Sequence, residues 1–218
     1  MTDHIDVITL EGMLPKVFAS ESIPRSDVWK CSLSFKRGSF YLVEAESGAG
    51  KSSMCSFIYG ARRDFEGRLL FNGKDTASLK IDDWQRIRRE SIAYLPQDLM
   101  LFPELSAIAN IRLKNDITRH VSENKIDEWL ALLGIESRRD YPVGKMSVGQ
   151  QQRVAIIRAL CQPFDFILLD EPVSHLDEAN NKIVASLIKG EAERQNAAII
   201  STSVGNPLLL DDAIKIRL

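Results

Sequence analysis

Cysteine is scarce in this sequence, and long apolar runs are absent from it. The 218 residues include three cysteines, Cys31, Cys55 and Cys161. Their odd number and wide spacing fit neither a disulfide framework nor a zinc site, so we expect buried thiols in a reducing compartment. No apolar run approaches the roughly 20 residues that a membrane-spanning helix needs, and the acidic start does not resemble a signal peptide. We expect a soluble, cytoplasmic chain that reaches a membrane only through a partner.

A large excess of charge of either sign is also missing. The sequence has 28 Lys and Arg residues against 30 Asp and Glu residues, for a formal net charge of −2. A general nucleic-acid binder is usually basic, so this balance argues against a nucleic-acid partner. The length suits one large domain, or one domain with a subdomain.

Short apolar runs alternate with stretches of helical periodicity along most of the chain. Four largely apolar segments have strand length, namely Phe40–Val43, Ile92–Leu95, Phe164–Leu169 and Ala197–Ile200. Between the second and third runs, residues 106–160 follow a mostly helical pattern. Residues 11–27 are expected to be irregular because they contain Pro15 and Pro24. The alternation predicts an α/β domain interrupted by a helical stretch.

A glycine-rich loop lies between the first of these strands and a helical segment. It reads Ala45-Glu46-Ser47-Gly48-Ala49-Gly50-Lys51-Ser52 and continues with Ser53. Its small residues allow successive backbone N–H groups to surround phosphates at a helix N-terminus. Lys51 is placed to neutralise the β and γ oxygens of a nucleoside triphosphate, and the Ser52 hydroxyl to coordinate Mg²⁺. The nine residues are the predicted phosphate-binding set, with the Glu46 side chain expected to point outward.

Two adjacent acids follow the apolar run that ends at Leu169. They are Asp170 and Glu171, and the carboxyl end of a buried strand is the usual place for ligand-binding groups in α/β sheets. We assign Asp170 to Mg²⁺ and Glu171 to the general base that polarises the attacking water. Two such acids can also be a solvated strand end, but the phosphate loop upstream favours the catalytic interpretation.

A further motif runs from Lys145 to Leu160 and reads KMSVGQQQRVAIIRAL. It resembles the signature sequence of ATP-binding cassette (ABC) ATPases and the helix that follows, with Met146 for Leu and Val148 for the first Gly. The other motifs fall in the order of that family, so the resemblance covers nearly the whole chain. It implies an α/β P-loop NTPase fold of ABC type, with a mixed β core, an antiparallel β portion and an inserted helical subdomain. We expect one nucleotide-binding domain over residues 1–218, its helical subdomain at about 98–160.

The resemblance also implies roles for single residues. Ser147, Gly149 and Gln150 would contact ATP held by the opposite subunit, because they begin a helix whose N-terminus faces an anion. Gln97 would touch Mg²⁺ and connect to the helical subdomain. The loop Ser174–Asp177 would cross the dimer interface.

Two positions in the resemblance are unusual. Ser203 stands where the family has a histidine that contacts the γ-phosphate, and a serine donates a hydrogen bond but carries no positive charge. The adenine-stacking aromatic is assigned to Phe18, with Trp29 as the alternative. Either ring can instead be part of the core, an interpretation favoured for Trp29.

The function implied by the resemblance is Mg-dependent ATP hydrolysis that drives a transporter. Two cassettes would sandwich ATP and drive a transmembrane permease at the inner face of the cell membrane. The two cassettes would most simply be identical copies, and alternatively two different chains. The short length and Leu101–Ser106 are similar to cassettes for lipoprotein release, macrolide export and cell division.

A second hypothesis is a hydrolysis-poor ATP-binding regulatory or interaction module, which Ala45, Val148 and Ser203 favour. A soluble cassette of DNA repair or translation is less favoured, because long insertions and a second cassette are missing.

Overall fold

The computed structural model describes residues 4–19 and 26–218, which form nine strands and six α-helices. The strands are β1 Val7–Pro15, β2 Ser32–Lys36, β3 Phe40–Glu44, β4 Phe65–Phe71, β5 Lys74–Asp75, β6 Ile92–Leu95, β7 Phe166–Asp170, β8 Ala198–Ser203 and β9 Ile214–Arg217. The helices are α1 Lys51–Ile58, α2 Ile81–Glu90, α3 Ala107–Thr118, α4 Glu123–Leu132, α5 Val148–Leu160 and α6 Glu178–Arg194.

The strands are divided between two sheets. Five parallel strands have the order β6-β7-β8-β3-β9, and four antiparallel strands have the order β2-β1-β4-β5. Strands β7 and β8 are buried along their whole length, since helices or the second sheet cover both faces. This coverage explains their continuous apolar runs. The predicted α/β class with an antiparallel β portion is confirmed.

The parallel sheet separates two hydrophobic clusters. Side chains of β7 alternate between them, with Phe166 and Leu168 on one side and Ile167 and Leu169 on the other. The first cluster includes α1, α2 and the inner face of the antiparallel sheet. The second includes α3 to α6, and α3, α4 and α5 all lie between β6 and β7 in the chain. In residues 4–19 and 26–218, no helix combines the length and the apolar character needed to cross a membrane.

The prediction of an irregular N-terminal segment is wrong for residues 11–15, which continue β1. The strand pairs with β4 through a register shift after Glu11, and Gly12 there has a φ of +59°. A glycine at this shift permits the local change of direction. Pro15 is tolerated because it is the last residue of the strand, and Pro24 lies outside the described residues.

The cysteine prediction is correct for two residues and wrong for one. Cys55 and Cys161 are buried, whereas Cys31 is exposed. Cys31 directly precedes β2, which is an edge strand of the antiparallel sheet. Burial raises the pKa of both the Cys55 and the Cys161 thiols, and the negative charge of Asp170 adds to the rise at Cys55. These two thiols therefore remain protonated.

Candidate functional site

The phosphate loop joins β3 to α1 and is shaped by two glycines. Gly48 and Gly50 have φ values of +83° and +98°, the left-handed region that glycine enters without steric cost. Gly50 is the N-cap of α1, so the positive end of the helix dipole faces the loop. A Cβ on Gly50 would lie 3.0 Å from the rings of Phe18 and Trp29. Backbone conformation and close packing thus both favour glycine here.

Lys51 lies beneath this loop and is only 4% exposed. Its Nζ donates hydrogen bonds to the carbonyl oxygens of Glu46 at 2.9 Å and Ala45 at 3.4 Å. The same Nζ lies 3.7 Å from Oε1 of Glu171. A buried ammonium needs such partners because removing a charge from water is costly. Glu46 itself is exposed, in agreement with its expected outward orientation.

The three predicted Mg²⁺ ligands come from α1, the segment after β6, and the end of β7. Ser52 Oγ donates to Oε1 of Gln97 at 3.4 Å. Asp170 is 2% exposed, and its Oδ1 accepts a hydrogen bond from the Thr202 hydroxyl at 2.7 Å. These are oxygen donors, the type that Mg²⁺ prefers, and Mg²⁺ usually completes its shell with phosphate oxygens and water. The described residues contain no cluster of three or more His, Cys, Asp or Glu residues suited to a metal.

Glu171 follows β7 in a left-handed backbone conformation, with a φ of +53°. Its N–H donates to Thr202 Oγ1 at 3.2 Å, and its carbonyl oxygen accepts from Gln152 Nε2 at 3.2 Å. Sequence reasoning missed both partners. The sequence feature that could have identified Gln152 is its position on the apolar face of α5, because Ala155 and Ile156 follow it by three and four residues. A buried polar residue there indicates a specific partner.

A cavity of about 810 Å³ opens beside the phosphate loop. Residues 44–49 form one wall, while Phe18, Trp29 and residues 215–218 contribute others. Trp29 is 4% exposed, and its indole N–H donates to the Ala49 carbonyl oxygen at 2.9 Å. Phe18 is half-buried. Both adenine-stacking candidates therefore border the cavity, Phe18 with the more accessible ring and Trp29 as a support of the loop.

Ser203 is the last residue of β8 and pairs with Glu44 of β3. It lines the same cavity but is only 2% exposed. Within the described part of the chain, its hydroxyl has no hydrogen-bond partner. The position expected to hold the family's histidine is therefore at the site, occupied by a short buried side chain.

The signature residues begin α5 and lie against a different loop. Ser147 Oγ accepts from the backbone N–H of Gln150 at 3.4 Å, and Gln150 Oε1 accepts from the Ser147 N–H at 3.0 Å. Ser147 is thus the N-cap of α5. A Cβ on Gly149 would lie 3.2 Å from the carbonyl oxygen of His175, in the loop 174–177. Across residues 4–19 and 26–218, no hydrogen bond joins these signature residues to the phosphate loop.

Comparison with known proteins assigns the family. A family model described as "ABC transporter" matches residues 28–174, a range that contains the phosphate loop, the signature motif and the acid pair. The chain belongs to the ABC transporter family. The family resemblance seen in the sequence is confirmed.

Curated relatives of this cassette carry transporter names. It is 31% identical over 191 residues to "Uncharacterized ABC transporter ATP-binding protein YclH" of Bacillus subtilis, covering 86% of this chain and 83% of the relative. It is 33% identical over 175 residues to "Lipoprotein-releasing system ATP-binding protein LolD" of Novosphingobium aromaticivorans, covering 78% of each. Against "Macrolide export ATP-binding/permease protein MacB" of Bartonella quintana, identity is 29% over 200 residues, 90% of this chain and 30% of the relative. Two of the three predicted types appear in these names.

Solved structures support the ABC-type fold of the cassette. The dimeric structure of the ATP-binding cassette MJ0796 bound to ADP and Pi has a TM-score of 0.76 at 26% identity, over 91% of this chain and 88% of that one. A second dimeric MJ0796 structure has a TM-score of 0.77, also at 26% identity, over 96% and 94%. The predicted P-loop fold of ABC type is confirmed.

Proposed function

We propose that this cassette binds Mg-ATP, hydrolyses it with Glu171 as the general base, and drives a transmembrane permease together with a second cassette. One observation carries the proposal. The candidate functional side chains converge at the carboxyl ends of the parallel strands, namely Lys51, the Ser52–Gln97 pair and the adjacent acids Asp170 and Glu171. This edge is where ligands of open α/β sheets bind.

The phosphate loop supplies the binding half of the proposed site. Backbone N–H groups, the α1 dipole and Lys51 would hold the phosphates. Ser52, Gln97 and Asp170 would hold Mg²⁺, which when bound neutralises charge on the phosphate oxygens. Phe18 would stack on adenine across the cavity, because it has the more accessible of the two aromatic rings.

The acid pair and β8 supply the hydrolytic half. Glu171 would accept a proton from the attacking water, and its carboxylate already lies beside Lys51. Ser203 would donate a hydrogen bond where the family has a histidine. Because serine is uncharged, we expect hydrolysis to be slower than with a histidine at this position.

The signature residues would complete the site of a second cassette. Gly149 lies against the loop 174–177, and Ser147 and Gln150 hydrogen-bond to each other at the start of their own helix. Val148 beside them is 50% exposed, so this face is open to a partner. The dimeric MJ0796 cassettes support this arrangement. A homodimer is our first expectation, and a pair with a different cassette is the alternative.

The segment after Gln97 is the proposed permease contact. Met100, Phe102 and Leu105 are 64%, 53% and 37% exposed, and clustered exposed apolar side chains favour a protein partner. Arg158 of α5 donates to the carbonyl oxygens of two residues in this segment. The relative MacB is named as a combined ATP-binding and permease protein. Such a contact would place the cassette on the inner face of the cell membrane.

The test is phosphate release by the purified chain with Mg-ATP, beside a Glu171→Gln variant. Loss of the general base should lower turnover by roughly 100-fold or more while ATP binding persists. Glu178→Gln is a matched control, since Glu178 is exposed on α6 and pairs with Lys182. Equal background rates in the wild type and Glu171→Gln, with ATP binding intact, would contradict the ATPase proposal. Co-purification with a membrane permease tests the transporter part.

A regulatory ATP-binding module with little turnover is the second candidate. Ser203 favours it because the hydroxyl is buried and carries no charge. Val148 favours it because a bulky residue replaces the first glycine of the signature. Turnover that Glu171→Gln abolishes would exclude this candidate.

A further inference from the structure

We propose that Thr202 is a positioning residue for the acid pair, an inference that rests on the proposed ATPase function. Its hydroxyl donates to Asp170 Oδ1 at 2.7 Å and accepts from the Glu171 N–H at 3.2 Å. One side chain therefore connects the proposed Mg²⁺ ligand to the backbone of the proposed general base. Thr202 would act through these two residues and not touch the reacting atoms.

The sheet places Thr202 for this task. Strands β7 and β8 are parallel neighbours, with Asp170 directly opposite Thr202. Side chains two positions apart on a strand point to the same face. The residues two positions before Asp170 and Thr202 both belong to the hydrophobic cluster that contains α1, the helix after the phosphate loop. Thr202 is fully buried, and Asp170 is 2% exposed. Solvent therefore offers little competition for the hydroxyl, and an unpaired carboxylate oxygen would be costly.

The direction of the two hydrogen bonds is determined by chemistry. A backbone N–H can only donate, so Thr202 Oγ1 must accept from Glu171. The single hydroxyl proton of Thr202 is then available for the carboxylate of Asp170. This fixes Oδ1 as an acceptor, and in the described part of the chain Oδ2 accepts no hydrogen bond from protein. Thr202 would thus orient the carboxylate with Oδ2 available to the metal shell.

Glu171 needs this support because of its backbone. A non-glycine residue with a φ of +53° is strained, and such conformations persist only when surrounding contacts hold them. Thr202 binds the N–H of Glu171 from β8, and Gln152 binds its carbonyl oxygen from α5. The two contacts keep the carboxylate of Glu171 directed toward Lys51, at 3.7 Å.

The neighbouring residue Ser201 provides a matched control. Ser201 is also fully buried on β8, one residue earlier and on the opposite face. Its hydroxyl has no partner within residues 4–19 and 26–218. Removing that hydroxyl should leave turnover and Mg²⁺ dependence unchanged.

The experiment compares Thr202→Val, Thr202→Ser and Ser201→Ala with the wild-type chain. Valine keeps the shape of threonine without the hydroxyl, and serine keeps the hydroxyl. We expect Thr202→Val to lower kcat and to raise the half-saturating Mg²⁺ concentration, each by roughly ten-fold or more. The KM for ATP at saturating Mg²⁺ should change little, and Thr202→Ser should recover most of both losses.

A second readout does not depend on turnover. In a Glu171→Gln background, the gain in ATP affinity on adding Mg²⁺ is measured by calorimetry with and without Thr202→Val. We expect the valine variant to lose most of that gain, with a far-ultraviolet circular dichroism spectrum like that of its parent.

Two results would overturn the inference. One is wild-type kcat and Mg²⁺ dependence in Thr202→Val. The other is a loss of activity in Thr202→Val that Thr202→Ser does not recover and that leaves the Mg²⁺ dependence unchanged. Such a loss indicates only damage to the fold. If the wild-type chain itself lacks turnover that depends on Glu171, the proposed ATPase function fails, and the Mg²⁺-dependent ATP affinity then decides the role of Thr202 separately.

Discussion

The ammonium of Lys51 is held by two carbonyl oxygens of its own loop and by the carboxylate of Glu171. These contacts fix a positive charge at the N-terminus of α1, where phosphates would lie. We predict that Lys51→Ala weakens ATP binding by about 1.5–3 kcal/mol, because a charge-assisted contact is lost. Calorimetric titration measures this change.

The control for that prediction is Lys182→Ala on the exposed face of α6, where the lysine pairs only with Glu178 in the described structure. It should leave ATP affinity unchanged. Wild-type ATP affinity in Lys51→Ala would contradict the role given to Lys51.

Ser203 is the residue at which this chain departs most clearly from its family. We predict that Ser203→His raises turnover, because an imidazole reaches further than a hydroxyl and can carry positive charge toward the γ-phosphate. Steady-state phosphate release measures the effect. Since Ser203 is 2% exposed, a melting curve of the variant is needed beside it. A fall in rate with an unchanged melting temperature would mean that the pocket is adapted to serine.

Among the structural elements, α6 begins where the loop 174–177 ends. Its N-cap is Asp177, whose carboxylate accepts from the backbone and the side-chain amide of Asn180 at 2.8 and 3.0 Å. These hydrogen bonds lower the pKa of Asp177. The capped helix in turn fixes one end of the loop that packs against the signature residues.

The lowered pKa of Asp177 makes the stability of this helix end depend on pH. A depressed folded-state pKa contributes stability that is complete above the unfolded pKa of about 3.9 and is lost as the pH falls below it. We predict that the stability difference between the wild type and Asp177→Asn shrinks from pH 6 to pH 3, as urea denaturation at each pH would measure. A difference that stays constant over this range would contradict the assignment.

For the whole molecule, Asp165 connects three separate segments. Its buried carboxylate accepts from His4 Nδ1 at 2.7 Å and from the Ile5 N–H at 2.9 Å, and Arg37 Nη2 lies 3.2 Å away. We predict that Asp165→Ala lowers the free energy of unfolding by about 3–5 kcal/mol, because the largely buried Arg37 loses the nearer and buried one of its two counter-charges. Urea denaturation measures this loss.

Asp6 offers the matching control for Asp165. It also faces Arg37, at 3.7 Å, but its side chain is 69% exposed. Asp6→Ala should change stability by less than about 1 kcal/mol. Similar losses in the two variants would contradict the importance given to burial.

The sequence predicted the apolar strands of the parallel sheet and missed strands that are exposed or very short. Strands β3, β6, β7 and β8 were found because each is a continuous apolar run. Strand β9 was missed because it is an edge strand with three of four residues exposed. Strand β5 has only two residues, too few for any periodicity.

The candidate site likewise contains residues that the sequence predicted and others that it missed. The sequence alone identified the residues that belong to local motifs, namely Lys51, Ser52, Asp170 and Glu171. Their roles stay predictions. The structure brings them together and adds Thr202, which lies 31 and 32 residues from its two partners in the chain. No local pattern marks such a contact, because it depends on which strands are neighbours.

The sequence by itself determined the family and the candidate phosphate, metal and acid residues, because each depends on groups that are adjacent in the chain. The tertiary structure alone decided which groups meet. Parallel pairing of β8 with β7 and β3 sets Thr202 opposite Asp170 and Ser203 opposite Glu44. Strand order and register come from packing the whole sheet between its two hydrophobic clusters, and that packing is a property of the complete fold.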